Sequence, residues 1–479
     1  MSPENEILTM EWNPNAFEQA AATGLPVIFR HVPLNWKASN WSWSHLVKNI
    51  GHLNINVEES RGKHFFYYDH GKSNLLDERA WRTPRIFDEM EKYARVSRRM
   101  TFQEFVHRSS QPIVINARTN KQEEESTFHY FTRTVKHRAR RRPGEQGEEE
   151  EDGGETADEL DFRRYMLAQL QPTHPLPSFL TNDTRGSTMN IWMGGPQGTT
   201  TQAHYDESHN MFVQLMGIKT FTLAPPCAID ALYLYPDLHQ RARKVQVPLE
   251  NVRETGFVTS GMNFPLFLKH ISTPTLSTLP QLQTVSVFPG DVLYLPPFWM
   301  HRVHVQSRGN VNAAASANIF IPSRISDLKE KMFSMSLPFK EEWIGSVEAP
   351  TAVHMWLVAL TKRLSLSLRV LGERLVAVRY AHIRLESTHK YTWWDGMCRR
   401  QSSHPAHALG MQASPSDVPA SLEKARMHQK VHRFAALALQ IDRAVLWQIM
   451  QSYFELVVFS MMGGIKELKS FVRGCIRVL

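Results

Sequence analysis

From about Asn190 onward the sequence is cut into short runs by glycine and proline: MNIWMG, FVQLMG, KTFTLAPP, TVSVFPG, DVLYLPP and HRVHV, closing near ANIFIPS at Ser323. Short β-branched and aromatic runs bounded by turn formers read as strands. So many in succession predict an antiparallel barrel or jelly roll. The expected fold is therefore a mainly β core with other elements attached at each side.

Those flanking elements carry their own signals. NWSWSHLVKNIG reads as an amphipathic helix, with Ser42 as its cap, Trp43, Leu46, Val47 and Ile50 on one face, and Gly51 at its end. HFFYYD (64–69) is strand-like, TFQEFVHRSS is a short helix capped by Thr101, and QPIVINAR is a strand. ELDFRRYMLAQL is a further helix. Past Ser323 the texture turns helical, apart from a loop rich in Ser, His and Pro over residues 398–418. The expected organisation is N-terminal α/β elements over 1–135, a charged insertion over 136–160, the catalytic core over 161–323 and a helical region over 324–479.

The insertion pairs a basic run, KHRARRR, with PGEQGEEEEDGGE. Adjacent blocks of opposite charge read as a solvated, disordered loop. A nuclear-localisation role for the basic run is the sharper alternative. The net charge over all 479 residues is +8, which permits nucleic-acid binding without requiring it. Three widely spaced cysteines (Cys227, Cys398, Cys475) form no disulfide framework and no Cys-x-x-Cys motif. They suit a reducing compartment, cytoplasmic or nuclear. The polar start MSPENEILTMEWNPNAF has no apolar signal-peptide core. Residues 444–465 are long and apolar enough to span a bilayer, but Gln448, Gln451 and Glu455 interrupt them. A charge at mid-membrane is costly, so a buried or dimer-interface helix is expected and no membrane partner. Leu446, Ile449, Tyr453 and Leu456 at helical spacing are expected to serve a homodimer interface, although an ordinary core helix shows the same spacing.

The chemistry concentrates in TTTQAHYDESHN. On a strand, residues two apart share a face, so His204 and Asp206 aim together and Tyr205 aims away. A lone His-x-Asp is weak. FPGDVLYLPPFWMHRVHV strengthens it by supplying His301 on a later strand, which a barrel can place beside the first. Two histidines and one carboxylate make a facial triad with open positions, the set that suits non-haem Fe(II). His304 competes with His301, which is favoured because it follows the aromatic FWM. Glu207 and His209 read as structural or rim residues. Lys219 lies in the apolar run FVQLMGIKTFTLAPP. Spacing alone favours an exposed edge for it. An inward lysine would need an anionic partner, such as a cosubstrate carboxylate. Thr201 could add a hydroxyl and Asn210 an amide, though both also suit turns and rims.

TQAHYDESHNMFVQLMGIKTFTLAPP, FPGDVLYLPPFWMH and SAN (316–318) together resemble the JmjC oxygenases of the cupin superfamily, especially asparaginyl hydroxylases and other small JmjC-only hydroxylases. The likeness extends to LYLYPDLHQRARKVQV, WSWSHLVKNIG and HFFYYDHGK, covering roughly Leu25 to Ser323. The resemblance implies a double-stranded β-helix. It implies Fe(II) on His204, Asp206 and His301, which would be the catalytic set. It implies the distal carboxylate of 2-oxoglutarate on Lys219 and Thr201, with Asn210 and Asn318 near the iron and the cosubstrate's other end. It also implies a substrate groove lined by Tyr67 and Tyr68. The family's tyrosine contact to 2-oxoglutarate maps onto YMLAQL, where strict register gives Met166 and a one-residue shift gives Tyr165; Tyr130 is a further candidate. The family's Arg-Gln pair at the target amide becomes Arg243-Lys244 here. Lysine cannot accept from an amide NH2, so an acidic or at least non-asparagine target is expected.

The implied activity is hydroxylation of a C–H bond on a protein substrate's side chain, coupled to conversion of 2-oxoglutarate to succinate and CO2. A demethylase or an RNA-modifying hydroxylase is the alternative, with nucleic acid then the partner in place of a protein substrate for the latter. A non-enzymatic binding protein on the same scaffold is the second.

Overall fold

Ser42 and Thr101 both act as the helix caps their positions predict. The Ser42 hydroxyl accepts the backbone N–H of His45 at 3.1 Å, opening helix Trp43–Ile50. The Thr101 hydroxyl accepts that of Glu104 at 3.1 Å, opening helix Phe102–Ser109. Each satisfies a donor that the first helical turn leaves unpaired. At Gly51 a Cβ would lie 2.4 Å from the Val47 carbonyl oxygen, so only glycine lets the backbone leave the first helix at that angle.

The computed structural model describes residues 7–13, 15–34, 36–62, 64–65, 96–111, 115–116, 121–122, 127–137, 156–170, 187–195, 198–247, 282–306, 314–338, 349–381, 420–462 and 471. Most of the charged insertion, Tyr67, Tyr68 and the loop 398–418 lie outside them. The protein divides into two compact units. The first comprises Met1–Tyr67, Ile86–Pro225 and Pro280–Ser323; the second comprises Tyr68–Arg85, Pro226–Leu279 and Arg324–Leu479. That division differs from the expected linear one, because the stretch after the first Pro-Pro belongs with the C-terminal helices.

In sequence order the strands of the first unit are Leu8–Met10 (β1), Val27–Phe29 (β2), Asn54–Ser60 (β3), His64–Phe65 (β4), Val96–Thr101 (β5), Ile115–Asn116 (β6), Lys121–Gln122 (β7), Phe128–His137 (β8), Thr188–Gly194 (β9), Thr200–Thr201 (β10), His209–Met216 (β11), Lys219–Ala224 (β12), Gln283–Val287 (β13), Val292–Leu295 (β14), Met300–Val305 (β15) and Ala314–Ile321 (β16). One sheet runs β1-β2-β14-β11-β16-β9-β8-β3-β5 and a second β13-β12-β15-β10-β4. From β9 onward the backbone passes repeatedly between the two sheets, which gives the expected double-stranded β-helix with flanking helices.

The larger sheet is covered on both faces, and its strands alternate accordingly. On β11, Met211, Val213 and Leu215 join one core, with Ile191, Met193, Ala317 and Ile319, against helix residues Leu46, Phe102, Phe105, Phe162 and Met166. The next residue over, Phe212, joins the other core, with Phe221, Leu223, Val285 and Val287 of the smaller sheet. The same inner face also carries Asn210 and Gln214. A mainly apolar interior that holds amides at one end is the setting of a site.

In the second unit, helices Arg324–Phe333, Ala349–Arg363, Leu368–Arg374, Ala420–Ala438 and Arg443–Met462 pack together. The last is the only one, among the described residues, long and apolar enough to cross a membrane, and it is mostly buried. Its polar residues explain why. Gln448 and Gln451 donate to Asp230 at 3.2 and 3.0 Å. The fully buried Glu455 accepts from the backbone amides of Asp237 and Leu238 and from the Tyr380 hydroxyl. Leu446, Ile449 and Tyr453 are buried within the unit, with Tyr453 against Phe333 and Phe434. Those three residues of the stripe thus pack in a core within this unit, and Leu456 is half-buried.

Candidate active site

His204 and His301 are joined by two reciprocal backbone hydrogen bonds, His204 N–H to His301 O at 3.0 Å and His301 N–H to His204 O at 2.8 Å. This single bridge interrupts an otherwise irregular segment, so the HYD stretch is not the continuous strand its spacing suggested. The face relation still holds: Tyr205 is buried and stacked on Phe298, with ring centroids 5.0 Å apart, while His204 and Asp206 are half-buried. Phe298 takes a left-handed φ of 65° and donates its N–H to the Asp206 carbonyl at 2.8 Å. That pins the Pro-Pro-aromatic turn beside the carboxylate.

The ligand atoms of His204, Asp206 and His301 all lie within 4.8 Å of one another. His301 Nε2 is 3.4 Å from Asp206 Oδ2. His204 Nδ1 faces the Gln202 carbonyl at 2.7 Å, and His301 Nδ1 faces that of Trp299 at 3.1 Å. A carbonyl only accepts, so each Nδ1 carries the proton and each Nε2 presents the lone pair a metal would take. Carbonyl-held imidazoles plus one carboxylate are the donor set of a metal centre. No other such group occurs among the described residues.

His304 is excluded from this centre: it pairs with Thr200 on the opposite face, its Nδ1 2.8 Å from the Thr200 hydroxyl. His209 meets the Tyr294 hydroxyl at 2.8 Å, and burial pushes its pKa down to about 4, so it stays neutral inside the fold. Glu207 accepts the Ser323 hydroxyl with its backbone carbonyl.

Lys219 overturns the exposed-edge expectation. β12 lies between β13 and β15, and Lys219 is 1% exposed. Its Nζ has no hydrogen-bond partner and sits 5.4 and 5.8 Å from the ring centroids of Phe212 and Tyr130. Burial pulls its pKa down to about 7. An ammonium left this way is expensive unless an anion arrives. Lys219 pairs across the ladder with Val305, and Leu223 with His301, so Lys219 and His301 share the inner face of two adjacent strands. A narrow cavity lined by Phe65, Tyr130, Thr199, Thr200, Thr201, Val303 and Val305 opens on this side.

Asn210 and Asn318 stand on β11 and β16, joined by Asn318 Nδ2 donating to Asn210 Oδ1 at 3.1 Å. Trp192 Nε1 and Asn190 Nδ2 donate to Asn318 Oδ1 at 2.7 and 3.2 Å. These amides form one buried ladder on the inner face.

The sequence matches the family described as Cupin-like domain over residues 14–321. This protein belongs to that cupin-like family. It is similar to Lysine-specific demethylase JMJ30 of Arabidopsis thaliana, at 32% identity over 24% of this sequence and 22% of that protein. It is similar to Jumonji C domain-containing protein 5 of Drosophila melanogaster, at 27% identity over 30% of this sequence and 32% of that protein. Lysine-specific demethylase JMJ32 of Arabidopsis thaliana is 26% identical over 33% of this sequence and 49% of its own length. The matched segment thus spans from about a fifth to about a half of these relatives.

The cupin-like core places the remaining expected residues unevenly. Thr201 lies on β10, where its hydroxyl accepts the Val303 N–H at 3.1 Å and keeps its own O–H to donate. Tyr165 is not beside Lys219. Its helix, Ala157–Leu170, turns it toward the helical layer, where its hydroxyl meets His45 Nε2 at 3.2 Å; Met166 is buried in that layer. Tyr130, on β8, is the tyrosine against Lys219. Arg243, with φ 66°, and Lys244 belong to the second unit, where the Lys244 carbonyl accepts the Tyr235 N–H at 2.8 Å. Tyr67 and Tyr68 lie outside the described residues. Sequence reasoning passed over Trp192, Asn190 and Thr199. The period-2 alternation of MNIWMG and TTT was the available signal for all three.

Proposed function

We propose that this protein is an Fe(II)- and 2-oxoglutarate-dependent oxygenase that hydroxylates a C–H bond on the side chain of a protein substrate. The observation that carries the reading is Lys219: a buried ammonium without a hydrogen-bond partner, on the same inner face as the His204–Asp206–His301 cluster. A metal centre alone would not call for it. A dicarboxylic 2-oxo acid would, since one end can chelate the metal while the far carboxylate neutralises the lysine.

Bound iron would supply oxygen activation coupled to oxidative decarboxylation of the 2-oxo acid to succinate and CO2. The protein's own residues do the rest. The carbonyls of Gln202 and Trp299 orient the two imidazoles. Tyr130 and Phe212 wall the lysine from water. The Asn210–Asn318–Trp192 ladder keeps the inner face rigid.

The test is succinate formation from 2-oxoglutarate under air with Fe(II), comparing wild type with His204→Ala and Lys219→Ala. Turnover confined to wild type supports the reading. Turnover unchanged in both variants would sink it. Two of the relatives above bear the name lysine-specific demethylase, which favours a second outcome of the same chemistry. Hydroxylation of an N-methyl carbon releases formaldehyde, so a formaldehyde assay on methylated-lysine peptides separates the two. The Arg243-Lys244 pair, where asparaginyl hydroxylases carry Arg-Gln, speaks against an asparagine target.

A further inference from the structure

The turn Pro296–Trp299 leads into β15, the strand that carries His301. The Trp299 N–H donates to the Pro296 carbonyl at 3.3 Å, Pro297 holds the second position, and Phe298, at the third, takes a φ of 65°. Proline second and a positive φ third are the marks of a type II turn, whose third position calls for glycine. In a left-handed conformation the Cβ of any other residue crowds the backbone. A bulky side chain persists there only where its surroundings hold it.

Two contacts hold Phe298. Its ring, 1% exposed, is stacked on that of Tyr205, with centroids 5.0 Å apart and planes inclined by 21°. Its N–H donates to the Asp206 carbonyl at 2.8 Å. Tyr205 stands between His204 and Asp206 in sequence, so the stack grips the segment that carries both. The same turn reaches the remaining member of the cluster: the Trp299 carbonyl faces His301 Nδ1 at 3.1 Å. One strained turn thus touches the backbone of Asp206 and the ring of His301, whose Oδ2 and Nε2 lie 3.4 Å apart. Relaxing Phe298 to a negative φ would swing the chain after it relative to its own N–H. The contacts to Asp206 and His301 would not both survive that rotation.

We infer that Phe298 is a positioning residue of the candidate metal centre: its stack on Tyr205 locks a left-handed backbone that sets Asp206 against His301. This rests on the metal binding that the proposed function requires. The ring acts through the backbone and does by packing what glycine does by freedom.

The experiment is calorimetry of Mn(II) binding to wild type, Phe298→Ala, Phe298→Gly and Phe298→Tyr, with a metal-free thermal melt of each. Alanine and glycine both lose the buried ring, so both variants should melt below wild type. Metal affinity separates them. Alanine keeps the cost of a positive φ and lacks the stack, so the turn relaxes. Losing a contact that orients metal ligands weakens metal binding about 10–100-fold, and Phe298→Ala should show that loss. Glycine takes up the left-handed turn without strain, so Phe298→Gly should bind within about threefold of wild type. Phe298→Tyr keeps the stack and should match wild type. A residue that merely fills the core would give the reverse order, since glycine leaves the larger void and the less constrained chain. If Phe298→Ala binds as tightly as wild type, or Phe298→Gly as weakly as Phe298→Ala, the inference fails and the candidate metal centre stands. If wild type binds no Mn(II), both fall.

Discussion

His204 and His301 lie almost a hundred residues apart in sequence, yet they exchange both backbone hydrogen bonds, and their ring centroids are 4.4 Å apart. The geometry of the candidate metal centre is therefore set by backbone pairing, and the side chains need only extend from it. Replacing one imidazole should leave the pairing intact. His204→Ala and Asp206→Ala are expected to lose most bound metal after gel filtration with Mn(II), with a metal-free circular dichroism spectrum like that of wild type. Metal content unchanged in both would remove the cluster from consideration.

Lys219 makes the protein's stability depend on pH with a definite sign. Its folded pKa, about 7, is below the ordinary lysine value of 10.5. Between those pH values the unfolded state holds a proton that the folded state lacks, so this group's contribution rises with pH across that window. Lys219→Met removes the burden. It should melt higher than wild type near pH 7, with the gain shrinking toward pH 10.5. A gain that grows with pH over that range would contradict the burial seen here.

Under the proposed function, the same group governs 2-oxoglutarate affinity in the opposite direction. A carboxylate beside Lys219 favours the ammonium, which without that partner persists only up to about pH 7. Binding of 2-oxoglutarate should therefore take up a proton and weaken as pH rises above 7. Calorimetry in buffers of different ionisation heat reads that proton directly. Proton release on binding would reverse the assignment.

Asn318 is 1% exposed and serves three side chains at once. Asn318→Ala strands the Trp192 and Asn190 donors and the Asn210 acceptor. A loss of about 2–4 kcal/mol in urea unfolding is expected from leaving such groups buried and unmatched. A change under about 0.5 kcal/mol, the range of an ordinary surface substitution, would show that the ladder is not a unit.

Glu455 is the corresponding keystone of the second unit. It holds two backbone amides and Tyr380, and the buried Arg379 guanidinium lies 3.8 Å away. Glu455→Ala should cost about 1–3 kcal/mol, because it leaves two backbone amides and the Tyr380 hydroxyl buried and unmatched, while Arg379 keeps Asp237 at 3.3 Å. Thermal melts with a probe on the C-terminal helices would detect it.

Local signals in the sequence determined a good part of this protein. The Ser42 and Thr101 caps, the strand runs after Asn190 and the facial relation of His204 and Asp206 depend on neighbours a few residues away, and periodicity encodes such relations directly. The likeness of a few motifs carried the fold class and singled out the three side chains, His204, Asp206 and His301, that the structure brings together. Tertiary structure alone decided which face each strand turns inward. Lys219 looked like an edge residue until β13 and β15 closed on both sides of it. Tyr165 looked better placed than Tyr130 because a helix rotates by about 100° per residue, and sequence does not say which side meets the core. The Thr201 hydroxyl meets the N–H of Val303, roughly a hundred residues away. Such partners are fixed by long-range strand pairing, which no local pattern in the sequence records.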